Sequence, residues 1–183
     1  FDRLGDSPTA LAISLKVDGD SMQLHFEKGM LRKAVTRYDH KSGRMVTPIA
    51  DLFVTRPDPS FEGKVVIGGE AIFRGDKWKR LGFKHPRSGV AGILNRKDLS
   101  GAKDLDYIAW DLVDYIPTRD DVEHGWPDRK PKFVSEQFEL MRRLGYETTP
   151  LRLFSTMALG SLDRILEEMR SGKGEEWTTS SDI

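Results

Sequence analysis

Between Leu11 and Phe26 the chain alternates apolar and polar side chains in two runs, Leu11-Ala12-Ile13-Ser14-Leu15 and Ser21 to Phe26, and a third run, Met30 to Thr36, follows them. A period of two sends successive side chains to opposite faces, so each run reads as a half-buried strand. Met22, Leu24 and Phe26 are the apolar set of the second run, against Ser21, Gln23 and His25. Lys28-Gly29 supplies the turn that returns the third run as its hairpin partner. Two further strands are expected, one over 64–73, which contains Val65-Val66-Ile67-Gly68-Gly69-Glu70-Ala71-Ile72-Phe73, and one over 107–113.

Helical spacing is confined to other parts of the chain. Ser135 is expected to cap a helix over 136–144, with Phe138, Met141 and Leu144 on one face and Gly145 as its stop. Leu162, Ile165, Leu166 and Met169 predict a second amphipathic helix ending at Gly172. The small-residue stretch His85 to Gly92 suits a tight turn into a helix packed closely on a sheet. Residues 45–53 read as a short helix interrupted near Pro48, residues 115–131 as a long polar loop, and residues 151–154 as a short strand.

A length of 183 residues with 38% hydrophobic content suits one soluble domain over 1–183. Lys+Arg and Asp+Glu both number 29, so any polyanion site must be a local patch, not a global field. There are no cysteines, which excludes disulfides, thiolate zinc sites and cysteine nucleophiles and suits a cytoplasmic location. No run of about 18 apolar residues exists, so no membrane partner is expected. The chain starts at Phe1 and stops at Ile183 shortly after a polar stretch, the expectation being a piece truncated at both ends.

The candidate chemistry centres on Lys16-Val17-Asp18-Gly19, directly after the first alternating run. A lysine attacks only as the neutral amine, so a cleft that desolvates it or places a cation or metal nearby would favour a nucleophilic role. Asp18 offers a carboxylate to a metal or a proton, and Gly19 is expected to let the backbone approach a phosphate closely. Arg37 follows the hairpin directly, near the mouth of the same small sheet, where a fixed cation can hold a phosphate or ribose oxygen. Glu70 stands among apolar neighbours, an expensive position for a carboxylate unless it is paired or binds a cation. The glycines before it mark a place where another group comes close to the backbone. Residues 74–97 hold Arg74, Lys77, Lys79, Arg80, Lys84, Arg87, Arg96 and Lys97 against Asp76 alone, a local excess of seven positive charges that could grip a phosphate backbone or simply be a solvated surface. Trp110 is either core or a face for a purine base.

These motifs, in this order and spacing, resemble the nucleotidyltransferase domain of polynucleotide ligases, most closely the NAD-dependent bacterial DNA ligases. The resemblance runs from Phe1-Asp2-Arg3 through Lys16-Val17-Asp18-Gly19 and Thr36-Arg37 to Gly69-Glu70. It continues through His85-Pro86-Arg87 with Ala91-Gly92, Ala109-Trp110-Asp111-Leu112, and Ser135-Glu136-Gln137 leading to Leu144-Gly145-Tyr146. It implies an α+β fold of antiparallel β-sheets flanked by helices, as in the ligase and capping-enzyme nucleotidyltransferases. It implies that Lys16 takes AMP from NAD as a phosphoramidate, and that Asp18 and Glu70 serve Mg2+, the ribose or the lysine's proton. Arg37 and Arg87 would hold ribose and phosphates, and Trp110 would stack on adenine. The implied enzyme is a monomer that passes AMP to a 5′-phosphate and seals nicks in duplex DNA, acting in replication and repair.

The chain also departs from that pattern. Ser14 stands where the family usually carries a glutamate that reads adenine, which keeps a guanylyl-transferring, capping-enzyme-like relative open. Asn95 stands where the NAD-dependent enzymes usually carry an arginine, and the family's later lysine motifs are not in this sequence. An ATP-dependent DNA or RNA ligase is the alternative enzyme, and a non-catalytic nucleic-acid-binding module of the same fold is the alternative of another class.

Overall fold

The computed structural model describes residues 10–36 and 43–155. The expected helix ending at Gly172, Phe1-Asp2-Arg3 and Arg37 lie outside the described residues. The elements in chain order are β1 (Ala10–Ser14), β2 (Asp20–Glu27), β3 (Met30–Thr36), β4 (Arg44–Met45), α1 (Thr47–Ala50), β5 (Lys64–Phe73), α2 (Lys77–Arg80), α3 (Pro86–Leu94), β6 (Leu105–Ile116), α4 (Arg119–Glu123), α5 (Val134–Arg143) and β7 (Leu151–Ser155). They form two compact units, one from residues 1–15 and 150–183 and the other from 16–149. In the first, β1 and β7 pair antiparallel, with Ala10 opposite Ser155 and Ser14 opposite Leu151.

The second unit is an antiparallel sheet of order β4-β3-β2-β5-β6. The α+β expectation is met. Lys28 and Gly29 both take positive φ, 52° and 68°, the backbone that matches a two-residue turn to the twist of its strands, and β3 has the expected limits. Met22, Leu24 and Phe26 are buried together with Val65, Ile67, Ala71 and Phe73 of β5 and Leu105, Tyr107, Ala109 and Leu112 of β6. α1 packs against β3, α3 against β5 and α5 against β6.

Where the elements differ from expectation, local chemistry explains the difference. Pro48 does not interrupt α1 but lies in its first turn, where a missing N–H costs nothing. α5 starts at Val134 after Phe133, so Ser135 is inside the helix and not its cap, while Gly145, at φ +93°, ends it as expected. The presumed loop over 115–131 contains α4, held by a reciprocal capping box. Thr118 Oγ1 accepts from the Asp121 amide at 3.1 Å, and Asp121 Oδ2 accepts from the Thr118 amide at 2.7 Å. The capping residue Asp121 is itself buried, and its other oxygen accepts from the Glu62 amide at 2.7 Å. β6 extends beyond the expected run at both ends.

β5 is central, paired along its length with β2 on one side and β6 on the other. The Tyr107 hydroxyl passes beneath it, 3.0 Å from both the Met22 and the Ile67 carbonyl oxygens. This crossing requires Gly69, since a Cβ there would lie 2.5 Å from Tyr107 Cζ, 2.6 Å from its hydroxyl and 2.4 Å from the Ile108 carbonyl oxygen. The close approach expected at the paired glycines is thus made by a tyrosine of the neighbouring strand. We expect Gly69→Ala to destabilise the fold by about 1–3 kcal/mol through overpacking, read as a lower urea midpoint. An unchanged midpoint would contradict the tightness of this crossing.

Candidate nucleotide site

Lys16 to Gly19 lead directly into β2, and the close approach that Gly19 permits is to β5. A Cβ at Gly19 would stand 2.2 Å from the Ala71 carbonyl oxygen and 2.8 Å from Ile72 Cγ2, so no larger residue fits without moving a strand. The register then follows: Asp20 lies opposite Ala71, and Ser21 opposite Glu70. The segment bearing the candidate nucleophile is therefore pinned beside the strand bearing the candidate carboxylate.

Two carboxyls of this region are half-buried, and both are shifted. Burial pushes the Glu70 carboxyl above its ordinary value. Lys16 and Arg87 oppose that shift, and Asp20 and Asp18 reinforce it. Burial likewise pushes the Asp20 carboxyl up, against the pull of Arg87. Lys16, Asp18, Asp20 and Arg87 thus all lie close enough to bear on the Glu70 carboxyl. Arg87, in the first turn of α3, approaches Asp18 with Nη1 3.6 Å from Oδ1. Both side chains are about two-thirds exposed, at 67% and 69%, so this pair contributes at most about 1 kcal/mol and either partner is available to a ligand.

Lys16 is exposed, and the described residues do not desolvate it. Trp110 is 39% exposed on β6, on a bulge opposite Gly68 and Gly69, so it is a surface aromatic and not core. Asp20 was not singled out in the sequence, although a signal was present. It shares the parity of Met22, Leu24 and Phe26, which places a carboxylate in register with the core-facing set of β2.

Among the described residues, no group of three or more His, Cys, Asp or Glu is arranged to hold a metal by itself. Asp18 and Glu70 nevertheless suit magnesium, which is commonly held by one or two carboxylates together with substrate phosphates and water. The basic segment is partly committed to the fold. Arg74 pairs with Glu147 and, at 3.4 Å, with Asp106; Lys77 reaches Asp106 at 3.2 Å; Lys79 reaches Asp76 at 2.9 Å. Arg96 donates to Ser100 Oγ at 2.8 Å. Arg80, Lys84 and Lys97 have no such partner among the described residues.

Two cavities stand out in this unit. The larger, about 540 Å3, lies between residues 127–133 and α5, remote in sequence from all of the candidate residues. Two of its cations are already engaged: Lys130 Nζ donates to the Val113 carbonyl at 3.0 Å, and Arg143 lies 3.9 Å over the Trp126 ring while donating to the Gly125 carbonyl. The smaller, about 290 Å3, opens on the sheet face that bears Ser21, Gln23, Gly68, Trp110 and Asp111.

The family model described as "NAD-dependent DNA ligase adenylation domain" matches residues 2–127, more than half of the chain. The chain belongs to this family. Its similarity to curated proteins named DNA ligase agrees. It is 30% identical over 165 residues to that of Prochlorococcus marinus (strain NATL1A), covering 76% of this chain and 23% of the relative. It is 31% identical over 170 residues to that of Parasynechococcus marenigrum (strain WH8102), covering 83% and 23%. With the Paracoccus denitrificans (strain Pd 1222) protein it shares 26% identity over 186 residues, covering 92% and 22%. The chain therefore spans under a quarter of the length of these relatives. A solved chain named Pmar-Lig_Pre. matches in fold with a TM-score of 0.54 at 14% identity, over 91% of this chain and 36% of that one. The ligase-family expectation, with the NAD-dependent branch preferred over the ATP-dependent one, is met at the level of family.

The groups around Glu70 make a signed prediction for this ligase-family unit. The Glu70 carboxyl, followed by NMR, should titrate above the ordinary glutamate value. Lys16→Met removes a cation that favours the carboxylate, so the midpoint should rise further, whereas Asp20→Asn removes an anion and should lower it. Midpoints that ignore both substitutions would show that these groups do not share a site.

Proposed function

We propose that this chain is the adenylate-accepting part of an NAD-dependent DNA ligase, with Lys16 as the covalent nucleophile. The observation that carries this reading is the pinning of Gly19 on Ala71, which sets Lys16 and Asp18 beside Glu70 and Arg87. The Lys16 amine forms an N–P bond to the adenylyl phosphorus of NAD as the P–O bond to nicotinamide mononucleotide breaks, and the departing phosphate carries away the electron pair. Glu70, whose affinity for a proton is raised by burial, is suited to take the proton that the amine must lose. Arg87 neutralises phosphate charge, and Arg37 is assigned to ribose or phosphate by family resemblance. Trp110 offers an exposed ring for the base.

Asp18 would hold magnesium together with the substrate phosphates while Glu70 serves the proton, and bound magnesium would neutralise charge on those phosphates. The AMP group would then pass to the 5′-phosphate of a nick in duplex DNA, and attack by the 3′-hydroxyl would release it. Arg80, Lys84 and Lys97 are the cations of the basic segment best placed to meet the DNA backbone, since their neighbours are held in ion pairs or hydrogen bonds. Action in the cytoplasm as a monomer completes this reading.

The test uses the intact protein that contains this chain. With magnesium and NAD it should release nicotinamide mononucleotide and gain an acid-labile AMP on Lys16, while ATP should give no label. Lys16→Arg keeps the charge but holds the side chain protonated, so labelling should fall by on the order of 10^4-fold or more. The same variant should still seal a nick whose 5′-phosphate is already adenylated. AMP mapped to another lysine would overturn the assignment, and labelling from ATP would transfer it to the ATP-dependent class.

A further inference from the structure

The bulge that carries Trp110 is held from outside the five-stranded sheet. Gly69 pairs with Ala109 and Gly68 with Asp111, so Trp110 is the extra residue of β6 between them. Both backbone groups of Ala109, the residue before the bulge, are taken up by a segment that follows α5. Its N–H donates to the Glu147 carbonyl at 2.8 Å, and its carbonyl accepts from the Thr149 amide at 3.1 Å. Residues 147–149 therefore lie along β6 as a short parallel strap, bridged to Ala109 at Thr148. Thr149 is buried, and Thr148 Oγ1 accepts from Arg142 Nε at 3.0 Å.

The Glu147 end of the strap is exposed, and a guanidinium secures it. Arg74, just beyond the end of β5, pairs with Glu147 and, at 3.4 Å, with Asp106 near the start of β6. Lys77 reaches the other oxygen of Asp106 at 3.2 Å. One side chain thus ties the strap to the strand that it lies against. All of these groups keep contact with solvent, so the network adds little to global stability. Its effect is local: it fixes where a three-residue strap sits along β6.

We propose that Arg74 is a positioning residue for the nucleotide: by clamping Glu147 to Asp106 it holds the strap on Ala109, and the strap in turn holds the bulge that presents the ring of Trp110. The proposal rests on the adenylation reading above, in which Trp110 offers its ring to the base. Without the clamp, the Ala109 backbone groups exchange the strap for water and the bulge relaxes toward regular pairing. The base must then order the ring as it binds, at a cost in affinity. Arg74 on this account serves the nucleotide, not the DNA backbone.

The test is calorimetric titration of the intact protein with AMP, alongside fluorine NMR of protein labelled with fluorotryptophan. Trp110→Ala removes the stack and should weaken AMP about tenfold or more. Arg74→Gln should weaken it about threefold, within the roughly fivefold bias that an exposed ion pair can exert. Glu147→Gln should weaken it equally, although it changes the local charge in the opposite direction; a direct effect of charge on the phosphate would instead strengthen AMP. In the Trp110→Ala background neither substitution should weaken AMP further. Without nucleotide, both should move the Trp110 resonance and leave that of the buried Trp126 in place. If Trp110→Ala weakens AMP but the two clamp substitutions do not, or if their effects add to that of Trp110→Ala, the clamp fails and the placement of the base on Trp110 stands. If AMP does not bind, or Trp110→Ala has no effect, the clamp fails together with that placement. Loss of an exposed network should cost the thermal midpoint no more than a few degrees, and a larger drop in both clamp variants would show Arg74 to be structural and overturn the proposal.

Discussion

The larger unit depends on how closely three strands approach one another at Gly69. Tyr107 can place its hydroxyl against carbonyls of both β2 and β5 only because β5 carries no side chain at that point. Burial pushes the phenol's own ionisation well above its ordinary range, so it remains a neutral donor at physiological pH. One hydrogen bond of this kind contributes modestly, whereas leaving those carbonyls unpaired in the core would cost more. The same crossing fixes the register in which Ser21 meets Glu70 and Gln23 meets Gly68. The sheet face that carries the candidate chemistry is therefore set by a packing constraint on the opposite face.

Two glycines carry complementary parts of this constraint. Gly19 brings the lysine-bearing segment onto β5, and Gly69 lets β6 close from the other side. Between them lies a set of carboxylates that the fold does not satisfy. Glu70 and Asp20 are half-buried and shifted upward, and the nearest cation to Asp18 is an exposed arginine at the edge of ion-pair range. A carboxylate that serves the fold is paired more fully, as that of Asp121 is, with one oxygen accepting from the Glu62 amide and the other from the Thr118 amide. Under-satisfied charge beside Lys16 is the arrangement expected where a ligand completes the interactions.

Much of this was legible in the sequence, for identifiable reasons. The hairpin could be read because its alternation and its Lys28-Gly29 turn agree, and β5 could be read because its apolar run is long. The motif from Lys16 to Gly19 and its companions at Glu70, Arg87 and Trp110 pointed to the ligase family before any geometry was known. The rest depended on contacts between distant residues. Ser135 resembled a cap, but the helix begins two residues earlier than that cap implied, because Phe133 takes the extended backbone at its start. α4 stayed hidden in a proline-rich polar stretch, although Thr118 and Asp121 have capping-box spacing. The excess charge of residues 74–97 suggested a single basic patch. Its partners Asp106 and Glu147 lie far along the chain, and only the fold brings them to Arg74 and Lys77. The placement of Trp110 depends on a β-bulge, which periodicity does not reveal.

The central claim is that the sheet face bearing Ser21, Glu70 and Trp110, next to Lys16, is where the nucleotide binds. The most direct test is a crystal structure of the intact protein with NAD bound. The account predicts adenosine density against Trp110, with its phosphate within reach of Lys16 Nζ. Density in the larger cavity beside α5, with the Trp110 face empty, would contradict it.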